Sequence, residues 1–190
     1  TIKRLYRENA DISAVEVESC RSLYIPTMYS GNYHYGPFRA LEDDVYKYWQ
    51  KHLVASIPNL TIKNHPKSIK PELGVRVEDR WLEDCIGDYD LLILDYYSTA
   101  ASIAVFSDKP VMFFDIGLRN MSSRYTELLR KRCHYRTINL CEELSSQIND
   151  VLDSFGEQSN SWSNLKLKDY AIRKDNADGV WPALVSTLFN

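Results

Sequence analysis

The stretch Asp90-Leu91-Leu92-Ile93-Leu94-Asp95-Tyr96-Tyr97-Ser98-Thr99 decides how the rest of the chain is read. Four consecutive apolar residues between two aspartates show no polar alternation, which is how a strand covered on both faces of a parallel sheet reads. The hydroxyls of Ser98 and Thr99 then precede Ala100-Ala101-Ser102-Ile103-Ala104-Val105-Phe106, a helix of small and apolar residues with capping groups at its start. Pro110-Val111-Met112-Phe113-Phe114 follows as a second buried strand, closed by Asp115 and Gly117.

Outward from this unit the same alternation recurs. Upstream, Ser22-Leu23-Tyr24-Ile25-Pro26 is a short strand stopped by proline, with a loop from Thr27 to Pro37. From Glu42 a helix is expected, with Val45, Tyr48, Trp49, His52, Leu53 and Ile57 on its apolar face and Glu42, Asp43 and Asp44 where the dipole favours acids. Leu60-Thr61-Ile62-Lys63 reads as a strand ending on Asn64-His65-Pro66. Residues 76–86 read as a helix whose face includes Val77, Trp81, Leu82, Cys85 and Ile86, with Trp81 in the core. Downstream, a helix is expected over 122–133, a strand over 135–140 and a helix over 142–155.

Strand and helix thus alternate five times, and the expected fold is α/β: a doubly wound, open, mainly parallel, Rossmann-like sheet. Residues 1–20 read as a lead-in helix or a linker from an upstream domain, and 21–190 as the Rossmann-like domain. Its C-terminal extension comprises a polar connector, 157–168, and a terminal helix over Trp181 to Phe189.

Composition narrows the function classes. A chain of 190 residues is one domain's worth. The 23 basic and 26 acidic side chains leave a net charge of -3, so nothing general favours nucleic acid. Seven glycines are too few for glycine-loop-rich designs, and no apolar run is long enough to span a membrane or opens the chain as a signal peptide. Cys20, Cys85, Cys133 and Cys141 lie far apart with no C-x-x-C, so reduced and mostly buried thiols are expected rather than a zinc site. Thr1 opens the chain without an initiator Met, and we therefore read it as a piece of a longer protein.

In an open α/β sheet, ligands sit beyond the carboxyl ends of the strands. Asp95, Ser98 and Thr99 occupy that position, where helix amides and hydroxyls can hold phosphate. The alternative is that Ser98 or Thr99 only caps its helix. His65, beside Lys67, follows another strand and could donate to a pyrophosphate; a structural or merely exposed histidine is the competing reading. Asp115 closes the next strand. The basic run Arg130-Lys131-Arg132 fits a helix C-terminus better than an anion patch. G-x-G-x-x-G, Walker A, G-x-S-x-G and H-E-x-x-H motifs are all missing, and His34, His52, His65 and His134 have no metal-ligand spacing.

Asp90 to Thr99, the small-residue helix after it and Ser107-Asp108-Lys109-Pro110-Val111-Met112-Phe113-Phe114-Asp115 together resemble the C-terminal half of CDP-glycerol glycerophosphotransferases and related GT-B glycosyltransferases of bacterial surface polymers. Leu60 to Pro66 resembles that family's strand ending in His-Pro, and Leu23 to Thr27 the strand opening its second domain. The likeness covers 22–155, with Asp178-Gly179 as a further match. The chain departs from it by an extra tyrosine in Asp95-Tyr96-Tyr97-Ser98-Thr99, and by Asn64 where an arginine often stands.

The resemblance implies one half of a GT-B fold that binds a CDP-, UDP-, GDP- or CMP-linked donor, with no metal and no further cofactor. Ser98, Thr99, Asp95, Lys67 and Asp115 would line the donor site, and His65 would be the catalytic residue that stabilises the donor phosphates. An upstream acceptor-binding domain and a glycan or polyol-phosphate acceptor complete the expected partners. This half alone would be inactive. The expected setting is the cytoplasm, at the inner face of the cell membrane through the parent protein, in capsule or teichoic acid synthesis. Two other readings are a flavodoxin-like or receiver-like binding module, and part of a GT-B-like epimerase or phosphorylase.

Overall fold

A computed structural model describes residues 11–12, 16–27, 43–66, 68, 72–118, 120–157 and 162–163. Six strands form one sheet: β1 (Ser22–Ile25), β2 (Leu60–Ile62), β3 (Arg76–Val77), β4 (Leu91–Leu94), β5 (Val111–Asp115) and β6 (His134–Thr137). Their spatial order is β3-β2-β1-β4-β5-β6 and every pairing is parallel. This is the doubly wound order in which the chain reverses direction between β1 and β4, and the expected α/β open sheet is what the structure shows.

Among the described residues five helices accompany it: α1 (Asp43–Ser56), α2 (Leu82–Cys85), α3 (Thr99–Phe106), α4 (Ser123–Arg132) and α5 (Leu144–Glu157), with a 3-10 turn over Ile86–Asp88. Side chains two apart along a strand share a face. Tyr24, Leu91, Ile93, Met112 and Phe114 therefore enter the core beneath α1 and α5, with Trp49, Leu53, Ile148 and Phe155. Leu23, Ile25, Leu92, Leu94, Val111 and Phe113 enter the other, beneath α2, α3 and α4.

Residues 76–86 depart from the expected helix. Arg76–Val77 pairs with Thr61–Ile62 as edge strand β3, and α2 is a single turn beginning at Leu82. The polar residues between them are tied to one another instead: Arg80 donates to Glu78 and pairs with Asp88 at 2.8 Å, and the Tyr89 hydroxyl donates to Glu78 at 3.0 Å. Trp81 is consequently 69% exposed, not a core residue. On α1 the inward stripe runs through Tyr46, Trp49, Gln50 and Leu53, with buried Ile57 just after the helix, while Val45 and Tyr48 lie exposed, so the face is rotated from the one the hydropathy suggested.

Val17 and Cys20, from the lead-in segment, are buried in the same core as α1. Asp11–Ile12 pairs antiparallel with Trp162–Ser163, the latter within the expected connector. The helix expected over 181–189, and the loop after Thr27, lie outside the described residues. No helix among the described residues is long and apolar enough to cross a membrane.

Candidate functional site at the carboxyl edge of the sheet

Parallel pairing brings all six carboxyl ends to one edge. His65 lies just past β2, Thr27 past β1, Asp95 to Thr99 past β4, and Asp115 ends β5. With strands ~4.8 Å apart, His65 and Ser98 stand at ends roughly 10 Å from one another, with β1 between them.

Asp95 continues the alternation of Leu91 and Ile93, so its side chain enters the α1 face and is 2% exposed. Trp49 Nε1 donates to its Oδ2 at 3.0 Å, the Tyr24 hydroxyl donates to the same oxygen, and the Tyr46 hydroxyl donates to Oδ1 at 3.2 Å. Burial pushes the carboxyl up to about 6, against the pull of these three hydrogen bonds. All three donors are neutral, so the network holds no cation to offset the lost hydration, and desolvation wins. Burial, then the adjacent carboxylate, keeps both phenols well above their ordinary value, so they remain protonated donors. Asp95 is thus a buried anchor beneath the turn rather than a group facing a ligand. Its backbone begins the turn that presents Ser98 and Thr99.

Ser98 is the N-cap of α3. Its backbone is extended (φ -144°), its Oγ accepts from the Ala101 amide at 3.5 Å, and its carbonyl accepts from the Ser102 amide at 3.0 Å. The cap reading of Ser98 is therefore realised, through a lone pair of Oγ. Thr99 is the exposed first residue of the helix. The amides of Thr99 and Ala100 have no intrahelical acceptor, as in any first turn, and a phosphate oxygen would complete them.

Asp115 organises the neighbouring turn. Its Oδ1 accepts from the Gly117 amide at 3.1 Å, its Oδ2 accepts from the Tyr135 hydroxyl, and its carbonyl accepts from the Ile138 amide at 2.9 Å. Gly117 sits at φ 75°, a conformation that favours glycine. Tyr135 stacks on Phe113, and the Arg130 guanidinium lies 5.2 Å from its ring centroid.

His65 is exposed, and its carbonyl accepts from the Ser68 amide at 2.8 Å in a tight turn. Lys67 lies outside the described residues. Asn64, the departure from the arginine pattern, is 7% exposed with its Nδ2 lacking a hydrogen-bond partner. Tyr24, Tyr46 and Trp49 were not legible as site residues, because each reads locally as an ordinary strand or helix position.

Arg130, Lys131 and Arg132 form the last turn of α4, as the helix C-terminus reading expected, but Arg132 does not face solvent there. It is buried, donating through Nε to the Val105 carbonyl at 2.8 Å and through Nη2 to the carbonyls of Ser107 (2.9 Å) and Lys109 (2.8 Å). It ties α4 to the end of α3. Among the described residues no cluster of three His, Cys, Asp or Glu could hold a metal ion. Cys85 and Cys133 are pushed up by burial to about 11 and about 12, which keeps them as thiols.

No family model, curated protein or solved structure matches the chain.

Proposed function

We propose that this domain binds a nucleotide-activated donor across the carboxyl edge of its sheet, as the donor half of a transferase that moves a sugar or polyol phosphate to a cell-surface glycan or teichoic-acid-like acceptor. The observation that carries this reading is the hydroxyl turn opening α3 at the point where the strand order reverses, between β1 and β4. Phosphate oxygens would take the amides of Thr99 and Ala100 and the hydroxyls of Ser98 and Thr99. Asp95 would hold that turn from below, and Asp115 would shape the adjacent one. His65, two strands away, would stabilise charge gathering on the departing nucleotide, with Lys67, two residues on in the sequence, as a further candidate donor. The acceptor would be held by an upstream domain facing this edge.

The second reading, a nucleotide-binding module without chemistry, is favoured by one observation: the carboxylates of Asp95 and Asp115 are both engaged by tyrosine hydroxyls. Calorimetric titration with CDP, UDP, GDP and CMP tests both. Binding by one of them, weakened about tenfold or more in His65→Ala, supports the transferase reading; binding indifferent to His65 favours the module. No binding by any nucleotide refutes both.

A further inference from the structure

Asp95 and Thr27 lie just past the ends of the two strands that flank the reversal point, and Tyr46 joins them. The Tyr46 hydroxyl accepts from the Thr27 amide at 3.1 Å and donates to Asp95 Oδ1 at 3.2 Å. A second phenol completes the group: Tyr24 Oη lies 3.3 Å from Tyr46 Oη, accepts from Gln50 Nε2 at 3.4 Å, and donates to Asp95 Oδ2.

Hydrogen-bond counting shows that the carboxyl and the two phenols are satisfied in two protonation states, with Gln50 Oε1 unpartnered beside them. With Asp95 ionised, both phenols donate to it, Tyr46 accepts from Thr27, and Tyr24 accepts from Gln50. A proton from solvent is best placed on Oδ1, which has one side-chain donor, because Oδ2 already receives both Tyr24 and Trp49. Oδ1 then donates to Tyr46, and the Tyr46 proton swings to Tyr24, whose oxygen still has a lone pair for it. One proton enters, one hydroxyl rotates, and no heavy atom has to move.

We propose that the chain Asp95, Tyr46, Thr27 is a proton-sensitive relay that sets how firmly the start of the β1–α1 loop is held at the carboxyl edge. While Tyr46 donates to a carboxylate its oxygen is polarised and accepts strongly from the Thr27 amide. Once Tyr46 donates only to a neutral phenol and accepts from two donors, that hold weakens. The groups facing Asp95 are the phenols of Tyr24 on β1 and Tyr46 on α1, with the uncharged Trp49 and Gln50 also from α1. β5 and α5 present Met112, Phe114, Leu144 and Ile148 to this face. Of the other charged or titratable groups of α1 whose side chains are described, Lys47 pairs with Asp44 at 3.7 Å, Lys51 and Tyr48 are exposed, and His52 bonds Ser145. Burial places the Asp95 transition at about 6, within a physiological range.

The use of this relay in donor binding rests on the functional reading above, but the relay itself is testable without ligand. In the full chain, labelled with nitrogen-15, the Trp49 indole N–H (assigned through Trp49→Phe) and the Thr27 amide are followed from pH 8 to pH 4.5. Both should move with one common midpoint, and neither should move in Asp95→Asn. In Tyr46→Phe, Thr27 should stop following, while the Trp49 midpoint rises by about one to two pH units for the lost bond to a charged acceptor. A Thr27 amide that stays still in the wild type, titrates with a different midpoint, or still follows Trp49 in Tyr46→Phe overturns the relay. Should Asp95→Asn not fold, the wild type and Tyr46→Phe decide alone. Nucleotide plays no part, so failure of nucleotide to bind would refute the functional reading and leave this result standing.

Discussion

Trp49 Nε1, in the middle of α1, donates a 3.0 Å hydrogen bond to Oδ2 of Asp95 at the end of β4. A helix indole thus touches the buried carboxylate that underlies the candidate site.

That carboxylate makes stability depend on pH in an unusual direction. Its folded value, about 6, lies above its ordinary 3.8. The fold therefore prefers the protonated form: the contribution is complete below about 3.8 and is lost as pH rises through about 6, a span worth at most about 3 kcal/mol. Asn at this position can accept through its oxygen and donate to Tyr46, mimicking the protonated acid. Urea denaturation should show Asp95→Asn more stable than wild type at pH 7.5, with the difference vanishing at pH 4. A variant less stable at both pH values would contradict the argument.

Arg132 is expected to be the most sensitive charged position. Arg132→Ala leaves the carbonyls of Val105, Ser107 and Lys109 without their buried donor, a loss of about 3–5 kcal/mol. Arg132→Lys should recover only part of it, since one ammonium cannot reproduce the planar fork. Thermal melting of the two variants checks this, and a melt unchanged in Arg132→Ala would dismiss the clamp.

Two tryptophans should behave oppositely. Trp81, at the edge of the sheet, is 69% exposed, and Trp81→Ser should change stability by less than ~0.5 kcal/mol. Trp49→Ala empties a fully buried site packed on Phe114 and strips a donor from Asp95, and should cost about 3–5 kcal/mol. Equal effects in denaturant melts would contradict the placement.

The four cysteines offer a simple check on layering. Cys20, Cys85 and Cys133 are buried free thiols and Cys141 is exposed. A thiol reagent should modify one cysteine rapidly in native protein, Cys141, and the rest only on unfolding. Rapid modification of Cys85 or Cys133 would show that the layer of α2, α3 and α4 opens readily.

The sheet was legible because β4 and β5 are uninterrupted apolar runs between turn signals, a pattern that only a strand covered on both faces requires. β3 was not, because a two-residue edge strand is specified by its partner Thr61–Ile62 and carries no periodicity of its own. The turn at Ser98 was visible through its hydroxyls and its place after β4. The role of Asp95 was not: strand alternation turns its side chain into the core, and its partners lie on β1 and α1, tens of residues away. The burial of Arg132 was hidden for the same reason, since three acceptors from another segment outweigh what its neighbours Arg130 and Lys131 suggest.

The central claim, that the Ser98 turn receives the phosphates of a nucleotide, is tested most directly by calorimetry on Ser98→Asp beside wild type. Aspartate is as good an N-cap as serine, so α3 should keep its stability, whereas Ser98→Ala should lose about 1 kcal/mol with the cap. The added carboxylate would stand where a phosphate is expected. The account predicts a stably folded Ser98→Asp whose affinity for the nucleotide bound by wild type falls at least tenfold. A Ser98→Asp protein that binds that nucleotide as tightly as wild type would contradict it.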